Sequence, residues 1–277
     1  MSRPEGTQAP DQYYDEREAQ KYNSSSRIIS IQAEIAQRAI ELLTLPPSRP
    51  SYILDVGCGS GLSGQELEDA GHYWVGCDIS RDMLNVATER ESDTGDFIQH
   101  DMGLGLPYRP GSFDGCISIS AIQWLCYSDA SNQDPKLRLN RFFSSLYTVL
   151  KRDAKAILQF YPENSEQAVL IAQAASRVGF SGGLLVDYPN SSKAKKFYLC
   201  LSFERSYKVP KALGSGVGGV EMVGRATAAA RERKGSKKWK NPKDKEWVQK
   251  KKERMRSQGK AVKTDSKYTG RKRSSGF

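Results

Sequence analysis

The chain has 277 residues, 38% of them hydrophobic, and its formal net charge of +10 is unevenly spread. Residues 1–210 hold 21 Lys and Arg against 26 Asp and Glu, whereas residues 211–277 hold 21 against 6, so a mildly acidic body carries a strongly basic tail. No apolar run reaches the ~18 residues of a membrane span, the polar stretch Met1–Asp11 predicts no secretory leader, and five scattered cysteines with two histidines suggest free thiols in a reducing compartment rather than a disulfide framework or a structural zinc site.

In chain order, the first 27 residues are polar and carry Tyr13, Tyr14 and Tyr22. The pattern then predicts a helix over Ile28–Leu43, capped by the serines at 24–26 and stopped by Pro46-Pro47. Ser51–Val56 reads as a strand entering a glycine cluster, Leu62–Ala70 as a helix, and Tyr73–Asp78 as a strand ending on an acid. Arg81–Arg90 is a helix with Ser80 as N-cap, Phe97–Gln99 a brief strand leading to Asp101, and Phe113–Ser120 a strand followed by Ala121–Cys126 and a polar loop through Asn132. Lys136–Leu150 has apolar residues at helical spacing, Ala154–Phe160 and Phe197–Phe203 read as strands, and Glu163–Val178 as a helix between them. This alternation predicts an α/β fold with a parallel-rich sheet covered on both faces.

After Pro210 the texture changes. Leu213–Gly219 is glycine-rich and reads as a linker. Basic runs follow at Arg231–Lys234, Lys237–Lys240, Lys250–Lys252 and Arg271–Arg273, with Trp239, Trp247 and Tyr268 interleaved. Cations with interspersed aromatics suit phosphate contact, base stacking and nuclear import. Pro242–Gln258 has the pattern of a helix, but its repelling charges predict disorder without a partner.

The chemistry concentrates at Asp55-Val56-Gly57-Cys58-Gly59-Ser60-Gly61. Alternate glycines after a strand allow a tight turn and close approach of a ligand. Gly59-Ser60-Gly61-Leu62-Ser63-Gly64 also fits the dinucleotide pattern GxGxxG, which would seat a diphosphate on the next helix. Asp55 argues against that, because a carboxylate beside the loop repels a diphosphate and suits a cationic ligand with an amino group and a sulfonium. Asp78, followed by Ile79, can accept both hydroxyls of a ribose diol. Asp101 can receive an adenine amine, with Met102 flanking the ring. The plainer alternative makes Asp78 and Asp101 helix caps or turn acids. Three acids at one sheet edge, with Gly57, Cys58, Gly59 and Gly61 between them, point to S-adenosyl-L-methionine.

On these residues the sequence resembles the class I S-adenosylmethionine-dependent methyltransferases over about residues 28–204, which implies a seven-stranded Rossmann-like sheet. The segment after the fourth strand, Ser118–Cys126, lacks the Asn/Asp-Pro-Pro-aromatic signature of amine methylation. Ser120, Gln123 and Trp124 are the substrate-pocket candidates there, although Trp124 also suits a core position. Together with Tyr13-Tyr14-Asp15, Glu18–Tyr22, Ser24–Arg27, Trp239, Trp247, Lys250–Arg254 and Lys267–Arg273, that segment is similar to the eukaryotic small-subunit (18S) ribosomal RNA (guanine-N(7))-methyltransferase family, the Williams–Beuren region type.

The resemblance implies nuclear and nucleolar action on pre-small-subunit particles, with the cytoplasm as a further compartment. It also implies a small zinc-binding methyltransferase activator as partner, beside the third strand near Phe97 and Ile98. N(7) of guanine exposes its lone pair at neutral pH, so no dedicated acid or base is expected. The expected organisation is a 1–27 segment whose Tyr13, Tyr14 and Tyr22 serve as a lid or pack on a helix, a 28–204 methyltransferase domain, and a 205–277 basic region. A ribosome-assembly factor whose presence matters more than its methylation, or a small-molecule methyltransferase, are the alternatives.

Overall fold

The computed structural model describes residues 3–128, 134–214, 220–222, 245–259 and 261–265. The loop at 129–133, most of Leu213–Gly219, the basic runs at 231–234, 237–240 and 271–273, and Trp239 and Tyr268 lie outside the described residues. The chain divides into units Met1–Arg225 and Ala226–Phe277.

In the first unit, strands β1 (Tyr52–Val56), β2 (Tyr73–Asp78), β3 (Gly95–Gln99), β4 (Phe113–Ile119), β5 (Leu150–Phe160), β6 (Ser181–Asp187), β7 (Lys196–Ser202) and β8 (Val220–Met222) form one sheet in the order β3-β2-β1-β4-β5-β7-β6-β8. β1 to β5 pair in parallel, whereas β7 runs antiparallel to both β5 and β6. This is the seven-stranded Rossmann-like arrangement, lengthened by β8, which pairs antiparallel with β6.

Both sheet faces are covered, which is why Ile53–Val56 of β1, Gly115–Ile119 of β4 and Ala156–Phe160 of β5 are buried at every position rather than at alternate ones. On one face Leu54, Val56, Cys116 and Leu158 meet Leu139, Phe142, Phe143 and Leu146 of α6 (Pro135–Val149) and Ile171 of α7 (Ser165–Val178). On the other, Ile53, Ile117 and Ile157 meet Ile35, Ala36, Ala39 and Leu43 of α3 (Ser26–Leu43) and Leu67 of α4 (Leu62–Asp69). The helix α5 (Arg81–Thr88) starts at Ser80, whose hydroxyl accepts the Met83 N–H at 3.1 Å, a standard N-cap.

Three features go beyond the sequence reading. The polar N-terminus holds two helices, α1 (Pro10–Tyr13) and α2 (Glu16–Ser24), the latter capped by Asp15. β6 has no counterpart among the predicted strands, because Gly182-Gly183 interrupts its apolar pattern. The chain also stays packed beyond residue 204. Tyr207, Val209 and Ala212 rest against the α3-side core, the Leu213 N–H donates to Asp187 Oδ1 at 2.7 Å, and Arg38 donates to Asp187 Oδ2 at 3.0 Å and to the Lys211 carbonyl at 3.2 Å.

In the second unit, α8 (Lys245–Ser257) lies within the helix-patterned stretch Pro242–Gln258. Lys252 and Arg256, one turn apart, both reach Asp265, at 2.7 and 2.6 Å, which offsets part of the helix's own repulsion. No helix among the described residues is long and apolar enough to cross a membrane.

Candidate active site

The carboxyl ends of β1, β2 and β4 open on a cleft, at the sheet edge where open α/β folds bind ligands. Its floor is the turn after β1. Gly57 and Cys58 donate their N–H groups to the Cys77 carbonyl at 2.7 and 3.2 Å, stitching the turn to the end of β2. Gly57 sits at φ +73°, and a Cβ there would lie 2.2 Å from that of Ala121, so glycine is obligatory. Gly59 lines the cleft with Cys58, while Gly61 caps α4 from outside it. Gly64 has a different role: a Cβ on it would meet the Trp74 ring at 2.3 Å, so this glycine permits α4 to pack on β2.

The three acids differ in setting. Asp78 reaches the cleft with one oxygen accepting the Gly59 N–H and the other the Ser80 N–H, both at 2.9 Å. It therefore braces the glycine turn. Burial raises its pKa, and those same N–H bonds pull it back. Asp101 also faces the cleft, beside Met102. It caps the short turn Met102–Leu104 by accepting the Gly103 N–H at 2.8 Å, and it pairs with Arg138 of α6 at 3.0 Å. Asp55 lies behind the turn, fully buried, with Oδ2 accepting the Ser63 hydroxyl at 2.5 Å and Oδ1 unpartnered.

Burial pushes the Asp55 carboxyl up to about 7, the Ser63 hydrogen bond opposing this and the Asp78 charge adding to it. The folded state thus holds this proton more tightly than an unfolded carboxyl near 3.9 does. Stability conferred by that proton is full below about pH 4 and is lost as pH rises through about 7. The cofactor-free protein is accordingly expected to unfold at lower urea at pH 8 than at pH 5.5, and Asp55→Asn is expected to shrink that difference. Urea titrations at the two pH values measure it; an unchanged difference in the variant would assign the effect elsewhere.

The opposite side of the cleft is built from the end of β4. Ser120 has φ +56°, an uncommon conformation for a side-chain-bearing residue, and is fixed there by Gln159: its N–H and hydroxyl reach Gln159 Oε1 at 3.0 and 2.8 Å. Ser120 and Trp124 line the cleft. Gln123 does not; it is buried, and its amide donates to the Ser120 carbonyl at 2.8 Å and to Glu5 at 3.0 Å. Trp124 is itself almost fully buried, with Tyr13 and Tyr14 each 6.0 Å away by ring centroid.

Tyr14 and Tyr22 line the cleft together with Pro10, while Tyr13 stands outside the lining, edge-on to Tyr14 at 5.0 Å. Burial pushes the hydroxyls of Tyr14 and Tyr22 well above their ordinary pKa. The Ser80 hydroxyl donates to the Tyr14 carbonyl at 2.8 Å, and Ala19 of α2 packs on Met83 and Val86. Arg90 completes the junction by donating to the Ser60 carbonyl at 2.7 Å and to Asn23. Ile79, Met83 and Gln32 also line the cleft.

Sequence reasoning missed Arg138, Arg90, Gln159 and Glu5, because each partner lies 30 or more residues away. The chemistry available is restricted. The Cys77 thiol is pushed up to about 12 by burial and stays protonated, and the His100 ring is tied to the Gly105 carbonyl.

A Rossmann-like sheet of this order, a glycine turn after β1 and acids at the ends of β1 and β2 define a class I S-adenosylmethionine-dependent methyltransferase. Residues 54–158 match the model of a methyltransferase domain, and residues 204–275 that of a methyltransferase involved in Williams-Beuren syndrome. The fold is also similar to the crystal structure of a SAM-dependent methyltransferase from Aquifex aeolicus (TM-score 0.50, 16% identity, covering 68% of this chain and 98% of that one). A Mus musculus protein named 18S rRNA (guanine-N(7))-methyltransferase is 52% identical over 99% of this chain and 98% of its own. A Saccharomyces cerevisiae protein named 18S rRNA (guanine(1575)-N(7))-methyltransferase is 47% identical, again over 99% and 98%. The chain belongs to the 18S rRNA (guanine-N(7))-methyltransferase family, and its methyl donor is S-adenosyl-L-methionine.

Proposed function

We propose that this chain methylates N(7) of a guanine in 18S ribosomal RNA during small-subunit biogenesis. The observation that carries the reading is 52% identity along essentially the full length, basic C-terminal region included, to a protein named for that reaction.

The cleft fits the cofactor. Gly57 and Gly59 keep backbone bare where the methionine portion would lie, Asp78 would take the ribose hydroxyls, and Asp101 with Ile79 and Met102 would flank the adenine. The buried Asp55, its Oδ1 unpartnered, lies behind the turn, where a bound cation would favour the carboxylate over the protonated form. Tyr14 and Tyr22 would close over the cofactor, with Tyr13 backing them. When bound, the cofactor supplies an electrophilic methyl group on a sulfonium. The protein's part is to orient the acceptor lone pair and exclude water, since guanine N(7) has no proton to remove. Ser120 and Trp124 stand at the acceptor side, Gln123 supports them from below, and no catalytic base is assigned.

Two further features belong to this reading. The first is a small zinc-binding activator subunit on the edge of β3, where Ile98 is 37% exposed and no strand lies beyond β3 among the described residues. The second is action in the nucleus and nucleolus, supported by the family and by the +15 charge of residues 211–277.

The test is to map N(7)-methylguanine in 18S rRNA by reduction and strand scission, with and without the protein. One scission site is expected to vanish on depletion and to return with the intact gene. An unchanged map would overturn the reading.

A further inference from the structure

We infer that Glu5 reads the acceptor base, accepting the N1–H and the exocyclic amine of guanine on its carboxylate; this rests on the proposed reaction.

Glu5 lies in the single turn Pro4–Gly6 and is 7% exposed. Its position is enforced from both sides. Arg3 donates to the carbonyls of Tyr161 and Pro162, each at 2.8 Å, anchoring the turn over the carboxyl end of β5. On the other side Gln123 donates to Glu5 Oε1 at 3.0 Å. No Lys or Arg forms an ion pair with Glu5 among the described residues. A buried carboxylate whose one donor among the described residues is neutral is costly and calls for a further donor. Whereas Asp55 Oδ1 is sealed and unpartnered, neither oxygen of Glu5 is in that condition, so its carboxylate retains capacity that a ligand can fill.

The surroundings select the ligand. Gln123 follows Ala121 by two residues, and Ala121 is the residue that abuts Gly57 of the cofactor turn. The methyl-donor floor and the carboxylate therefore flank one short stretch of chain, next to the packed rings of Tyr13, Tyr14 and Trp124, of which Tyr14 and Trp124 line the cleft. Guanine alone among the four bases presents two adjacent donors on its pairing edge, the geometric complement of a carboxylate. Its N(7) is on the opposite edge, so a guanine gripped at N1–H and the amine turns N(7) away from Glu5, toward the cofactor side. Adenine would set its N1 lone pair against the carboxylate and be rejected.

The test compares two transcripts of the rRNA segment, one with guanine at the mapped position and one with inosine, which lacks only the exocyclic amine. The full-length protein, wild type or Glu5→Gln, methylates each under the same conditions, and cofactor affinity is measured in parallel. Glu5→Gln has nearly the same size and keeps an oxygen for Gln123. Wild type is expected to prefer guanine over inosine by about 10-fold or more in kcat/KM. Glu5→Gln is expected to lose about 100-fold on guanine, to lower that preference below about 3-fold, and to keep cofactor affinity within about 2-fold.

A role limited to holding the N-terminus would lower both transcripts alike and leave the ratio intact, and that result would overturn the inference. Should Glu5→Gln fail to fold, Glu5→Asp is read by the same ratio, which a shortened carboxylate is expected to reduce. Wild-type protein that methylates neither transcript would bring down the proposed reaction and this inference with it, whereas wild type active on guanine with an unchanged ratio in the variant brings down the inference alone.

Discussion

Asp78→Ala is expected to weaken S-adenosylmethionine binding by 100-fold or more, measured by calorimetric titration. The carboxylate does two jobs at once. It accepts the N–H groups of Gly59 and Ser80, both at 2.9 Å, and so fixes the turn before any ligand arrives. It also presents the remaining acceptor capacity to the cleft. Hydrogen bonds to a charged group contribute roughly 1.5–3 kcal/mol each, and losing the ligand's bonds together with part of the turn's order amounts to about 3–4 kcal/mol, or 100- to 1,000-fold. Asp78→Asn keeps the shape but turns an NH2 toward one of the two backbone donors, so it is expected to recover little. A binding loss under 10-fold in Asp78→Ala would remove Asp78 from the cofactor site.

Gly57→Ala is the second large effect, and it falls on folding as well as binding. At φ +73° an alanine is strained by roughly 1–2 kcal/mol, and its Cβ would stand 2.2 Å from that of Ala121, an overlap worth about 1–3 kcal/mol more. The sum, about 2–5 kcal/mol, lowers the thermal midpoint by roughly 5–15 °C for a unit of this size. The double variant Gly57→Ala/Ala121→Gly removes the overlap and leaves the backbone strain. Calorimetry is expected to show it between the single variant and wild type, and a double variant no better than Gly57→Ala would mean that Ala121 is not the obstacle.

The legible part of this molecule was the part whose signals are local. Asp55 through Gly61 announces a turn by composition, and the apolar runs of β1, β2, β4 and β5 announce buried strands. β6 was illegible because Gly182 lies so close to β7 that any Cβ would strike the Cys200 carbonyl at 1.9 Å; the glycines that let the strands meet also erase the strand's pattern. α2 was illegible because it buries one residue, Ala19. The site divides in the same way. Asp78 and Asp101 follow strands and could be placed by order alone, and both turn out to brace local backbone as well. The links between Glu5 and Gln123, 118 positions apart, or between Arg138 and Asp101, 37 apart, exist only once the sheet has gathered its loops at one edge.

The strand β8 gives the sheet unequal margins. At one end it occupies the outward backbone groups of Gly182–Leu184, while at the other β3 has no strand beyond it among the described residues, only the Asp96 side chain accepting the Phe97 N–H at 2.8 Å. A strand with one vacant side accepts whatever chain arrives in register, so specificity there has to come from side chains such as Ile98 and the charges of Asp96. The far margin carries no such vulnerability as long as residues 220–222 are present. A chain cut back to the last residues of β7 would therefore gain a second sticky border and with it a tendency to polymerise, independent of any effect on the reaction.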